Sequence, residues 1–147
     1  MPQKIETPNA AEVHWIEDSQ ERLREFAKKT TGYRFTSGEL DAIYRDWMSV
    51  KKDGEDPNPM INAFGLTFGQ LFVDRLKMVW SVVTDEHGTE IAVCGQPGDV
   101  LVFPPNFVAK RFVAKEVGFF SSAFAAMSRD IERLRHDAKP KPWWRPW

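Results

Sequence analysis

Hydrophobic positions recur every three to four residues in both halves of the chain and give way to strand-like runs between them. Asn9, followed three residues later by Glu12, is a helix-capping signal. Val13, Ile16, Leu23, Phe26 and Ala27 then fall on one stripe and predict a first helix to about Lys29. Gly32 follows where a left-handed cap is expected. Thr36 and Glu39 repeat the signal ahead of Leu40, Ile43, Tyr44 and Trp47, which predicts a second helix to near Lys51. Asn58 before Pro59 opens a third, to about Lys77, with Ile61, Phe64, Phe68, Leu71, Phe72 and Leu76 on a wide apolar face. Gly65 and Gly69 sit one turn apart inside it. Each glycine costs about 1 kcal/mol against alanine in a helix interior, so the pair predicts close approach of another backbone.

From Met78 the period shortens. Residues 79–84 and 89–94 are rich in strand formers and flank Asp85-Glu86-His87-Gly88, the pattern of a β-hairpin. Val100–Phe103 is a third strand, stopped by Pro104-Pro105. Residues 106–113 fit a short helix or an extended edge equally well. Helical spacing returns over 117–136, with Phe120, Phe124, Met127, Ile131 and Leu134 on one stripe. The order predicts an α+β fold: N-terminal helices, a three-stranded antiparallel meander and a C-terminal helix packed on one sheet face. A polar lead (1–8), a folded core (9–136) and a Trp- and Pro-rich basic tail (137–147), expected to dock, make a single domain.

A length of 147 residues permits a core without metals or disulfides. With 42% hydrophobic and 28% charged residues, the composition excludes a disordered chain and a collagen-like fibre. The net charge of −1 gives no basic excess for nucleic acid, and no nucleic-acid partner is expected. Its distribution is uneven: residues 1–105 carry 17 acidic and 11 basic side chains, whereas 106–147 carry 4 and 9. Cys94 is the only cysteine, which fits a reducing compartment. The first residues lack the apolar run of a signal peptide, so a cytoplasmic location with no membrane partner is the expectation.

Catalytic chemistry has little local support. His14, His87 and His136 are not at metal-ligand spacing, and no metal or cofactor is expected. No serine lies in a nucleophile elbow and no glycine-rich phosphate loop occurs. Cys94, among Val93 and Ile91, reads as a small buried hydrophobe. Asp85, Glu86 and His87 are the densest titratable cluster, and a solvated turn explains them more simply than acid–base work. Lys110-Arg111 is a candidate cationic edge. Trp143, Trp144 and Trp147, with Lys141 and Arg145, could anchor a partner, a lipid surface or the domain itself.

The succession Phe64-Gly65-Leu66-Thr67-Phe68-Gly69, Trp80-Ser81-Val82-Val83-Thr84-Asp85-Glu86-His87-Gly88, Val102-Phe103-Pro104 and Val108-Ala109-Lys110-Arg111 resembles the bacterial family known as domain of unknown function 3806, over roughly residues 60–125. The resemblance implies a small α+β domain and assigns no catalytic residue. By analogy of class, such domains are similar to immunity proteins, which neutralise a toxin by stoichiometric binding. The expectation is therefore a non-enzymatic protein-binding domain whose partner is a toxin acting in the cytoplasm. The candidate contact residues are Glu12, Glu17, Asp18, Glu21 and Glu25 on the first helix, with Lys110, Arg111, Trp143, Trp144 and Trp147. Two alternatives stand beside it: a ligand or catalytic site converging from Asp85, His87 and Asp99, and a secretion or membrane-surface adaptor using the tail. A homodimer through a free strand edge is also open.

Overall fold

Local signals set most of the helix boundaries. In the computed structural model, which describes residues 2–140, helix α1 (Ala10–Phe26) begins on a reciprocal capping box. Asn9 and Glu12 each accept the other's backbone N–H at 2.8 Å. Thr36 and Glu39 do the same for α2 (Ser37–Val50). Helix α3 (Asn58–Leu76) instead has Asn58 inside its first turn, with Pro57 as the cap and no side-chain capping bond. The end of α1 also departs from expectation. Ala27 closes it, and Lys28 takes the left-handed conformation (φ 58°) as the Lys29 N–H reaches back to the Arg24 carbonyl at 2.8 Å, while Gly32, also at positive φ (81°), lies beyond the helix end.

Strands β1 (Lys4–Glu6), β2 (Val79–Asp85), β3 (Gly88–Gly95) and β4 (Val100–Val102) form one antiparallel sheet in the order β1-β2-β3-β4. The expected meander of three strands is thus corrected to four. The added strand lies in the supposed polar lead, where Ile5 pairs with Val83. A three-residue strand with one apolar member carries no readable period. Residues 106–113 belong to α4 (Pro104–Val113), whose two prolines occupy the first turn, where no N–H is needed. The last helix, α5, runs from Phe120 to Asp137.

The helices gather on one face of the sheet, as expected. The register places Trp80 opposite Val93 and Val82 opposite Ile91 on that face. A β-carbon built on Gly65 would lie 2.6 Å from Pro105 Cα, and one on Gly69 would lie 2.5 Å from the Trp80 ring and 2.8 Å from Pro104. The paired glycines are therefore the seam where α4 and β2 close on α3. Gln20, buried on α1, donates to the Leu66 carbonyl (3.1 Å) and to Gln70 Oε1 (3.0 Å), which also accepts the Trp80 indole N–H at 3.1 Å. Three elements share that one amide. Tyr44 is the aromatic centre, meeting Trp47, Phe64, Phe119 and Phe120 edge-on at 5.0–5.7 Å. Val13 and Leu134, assigned above to apolar stripes, are instead 40% and 48% exposed.

Helix α5 has no capping side chain of its own. Asp41 of α2 supplies one from 79 residues away: its carboxylate, buried, accepts the Phe120 N–H at 2.8 Å and the Ser121 N–H at 3.1 Å. Removing it leaves two orphan donors at the positive end of a helix dipole. Asp41→Ala should cost about 2–3 kcal/mol in denaturant unfolding, and Asp41→Asn, which keeps one acceptor oxygen, distinctly less.

Candidate functional site

The acidic residues of α1 divide into two groups. Glu17, Glu21 and Glu25 repeat every four residues with Asp18 beside them, on the side of α1 turned away from buried Ile16, Gln20 and Leu23. Glu17, Asp18 and Glu25 are exposed, whereas Glu21 is engaged. Glu21 pairs with Arg24 Nη1 at 3.0 Å, and the Thr31 hydroxyl donates to it at 3.3 Å. Arg24 in turn donates from Nε to the Tyr33 carbonyl at 2.8 Å, so Glu21 helps hold the α1–α2 connection. Like charges at this spacing cost a few tenths of a kcal/mol each in a helix. The fold makes no visible use of the other three.

Glu12 lies on the opposite side of α1, in a groove of about 320 Å³ between α1, β3 and the start of α4. Trp15, Val82, Glu90, Ile91 and Pro105 line it with Glu12. Trp15 is 41% exposed and lines the groove. Glu90 pairs with Val83, so alternation turns its side chain to the other sheet face, and the Glu12 carboxylate beside the open indole is what suits a cationic side chain, the acid supplying charge and the ring face cation–π attraction. Sequence reasoning missed Trp15 as a groove residue. The available signal was that Trp15 falls off the stripe marked by Ile16 and Leu23.

The candidate cations behave differently. Lys110 is exposed, but Arg111 pairs with Glu116 at 3.1 Å and stacks its guanidinium 4.3 Å from the Phe107 ring centre. A second groove, of about 390 Å³, holds Arg75, Lys77, Arg135, His136 and Lys139 beside Gln96. Arg135 is committed there: its Nε donates to the Gln96 carbonyl at 2.6 Å and its Nη1 to the Leu76 carbonyl at 2.5 Å, closing the end of α3. Trp143, Trp144 and Trp147 lie outside the described residues.

The alternative constellation does not assemble. Asp85 and His87 sit at the β2–β3 turn, where Asp85 Oδ1 accepts the His87 N–H at 2.8 Å. Asp99 sits in the turn beyond the other end of β3, a strand of 8 residues and so about 26 Å long. His87 is 84% exposed. Among the described residues, no three His, Cys, Asp or Glu side chains are grouped to hold a metal. Cys94 is buried, and burial pushes its thiol up, with Asp99 adding to the effect and Arg135 opposing it. A buried thiol held protonated is a poor nucleophile. No helix among the described residues is long and apolar enough to cross a membrane.

Residues 40–121, more than half of the chain, match the family model described as Domain of unknown function (DUF3806). The chain belongs to this family. The DUF3806 segment is wider at its start than the motifs from Phe64 onward suggested, and it takes in Asp41 together with its partners Phe120 and Ser121. Helix α1 lies outside it, so the acidic groove is built half from DUF3806 residues (Val82, Glu90, Ile91, Pro105) and half from what precedes them (Glu12, Trp15). A crystal structure of a Bacteroides thetaiotaomicron protein is similar to this chain, with a TM-score of 0.66 at 14% identity. The match covers 88% of this chain and 48% of that one, so the DUF3806 protein described here spans about half the length of its structural neighbour. At that identity the likeness is one of fold. No curated protein matches the sequence.

Proposed function

We propose that this DUF3806 protein is a non-enzymatic domain that captures a basic protein partner in one-to-one stoichiometry, through the acidic outer stripe of α1 and the Trp15 groove. The observation that carries the reading is Trp15, an exposed indole beside Glu12 on the same helix that carries the exposed Glu17, Asp18 and Glu25. Aromatic anchors ringed by charge are the usual energetic centres of interfaces. An acidic face also raises the rate at which a basic partner is met. Toxin neutralisation in the cytoplasm, the role of an immunity protein, is the biological class this chemistry suits, since nuclease-like toxins carry basic surfaces of the complementary sign. Asp85 and His87 lie at the opposite end of β3 from Asp99, so that particular trio does not converge on one site.

The test is capture from a lysate of the source organism with wild-type bait and two variants, followed by native mass spectrometry and binding kinetics. A single 1:1 partner should be retained by the wild type. Glu17→Lys combined with Asp18→Lys and Glu25→Lys should slow its association at least about tenfold at low salt, and less at high salt. Trp15→Ala should mainly speed dissociation, with little change in Tm because the ring is already 41% exposed. A partner that binds all three baits alike, or no partner at all, overturns the reading.

A further inference from the structure

The groove at the end of α3 gathers cations from separate parts of the chain. Arg75 and Lys77 arrive from α3 and its cap, and Arg135, His136 and Lys139 from the end of α5. Glu132 is the one carboxylate in the lining, against four side chains of fixed positive charge before His136 is counted. In a chain of net charge −1 this is a local excess of one sign. Elsewhere on the surface Arg34, Arg111 and Arg133 each have a carboxylate partner. Arg75, Lys77 and Lys139 are exposed and make no ion pair among the described residues. The nearest acids are spent on other groups. Asp74 pairs with Arg34 at 3.8 Å, and Asp99 accepts from the Gln96 side-chain amide while its own N–H donates to Gln96 Oε1 at 3.2 Å.

Arg135 differs from its neighbours in being held in place. Its Nε and Nη1 are bonded to the Gln96 and Leu76 carbonyls, and its stem lies against Gly95, where a β-carbon would come within 3.3 Å of Arg135 Cδ. The third nitrogen, Nη2, makes no hydrogen bond among the described residues and is not one of their buried unpartnered atoms, so solvent reaches it. A guanidinium oriented in advance, with donors to spare, loses little freedom when an anion arrives. The Nη1 bond has a second effect. It covers one of the end carbonyls of α3, which carry the negative pole of the helix and would otherwise repel an anion.

We infer that this groove binds the phosphate end of a small phosphorylated molecule. Its volume of about 390 Å³ is that of a small-molecule site. Donors arriving from α3, α5 and the residues after it suit a tetrahedral oxyanion, which presents oxygens in several directions, better than a planar carboxylate, which presents two. Leu76 and Pro97 offer apolar surface to the body of the ligand. The groove shares no lining residue with the Trp15 groove, so the inference stands apart from the proposed protein partner.

Pyrophosphate is the probe, titrated into the full chain at low salt by calorimetry and by two-dimensional NMR. One equivalent should bind with a Kd of about 1 mM or below, more weakly as salt is raised, and the amides of residues 75–77, 96–97 and 135–139 should shift together. Lys77→Gln combined with Lys139→Gln should weaken binding about tenfold, whereas Lys110→Gln combined with Arg129→Gln, which removes the same charge outside the groove, should change it less than about twofold. All four residues are exposed, so both variants keep the fold, and Arg135 is left intact because it closes the end of α3. No binding, equal weakening by the two pairs, or shifts scattered over the surface would overturn the inference. Citrate bound as tightly as pyrophosphate would overturn the assignment to phosphate.

Discussion

Tyr44→Ala is expected to cost about 4 kcal/mol in equilibrium denaturation, near the upper end of what losing a buried aromatic removes. The ring is fully buried and meets four other aromatic rings from three parts of the chain: Trp47 on its own helix, Phe64 on α3, and Phe119 with Phe120 at the head of α5. Removing it leaves a cavity bounded by rings that cannot all collapse inward. Tyr44→Phe separates the ring from its hydroxyl. That oxygen is buried with no hydrogen-bond partner among the described residues, so deleting it should be neutral or stabilising by up to about 1 kcal/mol. The same pair predicts an alkaline signature. Burial, with Glu116 adding to it, pushes the Tyr44 phenol up from 10.0 to about 12. Between those values the unfolded chain has lost a proton that the folded one keeps, so stability falls as pH rises through this window. Tyr44→Phe should flatten that part of the fall, which a series of Tm measurements from pH 9 to 12 would show.

Gly65→Val is expected to be nearly as damaging, at about 3 kcal/mol, for the opposite reason. Its β-carbon would press on the Pro105 backbone at 2.6 Å, and backbone at the head of α4 cannot rotate aside as a flexible side chain would. Gly65→Ala should already destabilise, although alanine favours a helix by about 1 kcal/mol over glycine. Gly38 is the control. Its nearest neighbour is the Thr36 hydroxyl at 4.0 Å, so Gly38→Ala should leave Tm unchanged or slightly higher. A Gly65→Ala variant as stable as Gly38→Ala would show that α4 does not close on α3 at this seam.

These two sites mark what the sequence made legible. Gly65 and Gly69 announced a close approach because a glycine inside a long apolar helix is costly unless something fits against it. The capping boxes at Asn9 and Thr36, and the hairpin over Asp85–Gly88, were legible because each is written within four residues. β1 was not: its pairing with Val82–Thr84 depends on residues almost eighty positions away. Asp41 escaped for the same reason, as an acid on a helix resembles a solvated residue until the amides it serves are placed. At the candidate site, the acidic stripe was visible as a repeat, but Glu21, read as a candidate contact residue, is engaged by Arg24 and Thr31. The Trp15 groove depended on Ile91 arriving from β3, which no local period reveals.

The Asp41 clasp also has a consequence for how the chain is made. A ribosome that has just released Asp41 must add about 80 more residues before Phe120 and Ser121 emerge. At ~5–20 residues per second that is roughly 4 to 16 s. Throughout that interval α2 carries a carboxylate placed for a dry site and has nothing there to accept from. Water must serve it, and water cannot enter a closed core. The N-terminal helices therefore wait, part-solvated, for α5 to be synthesised, and the domain reaches its dry state only after Phe120 and Ser121 have emerged.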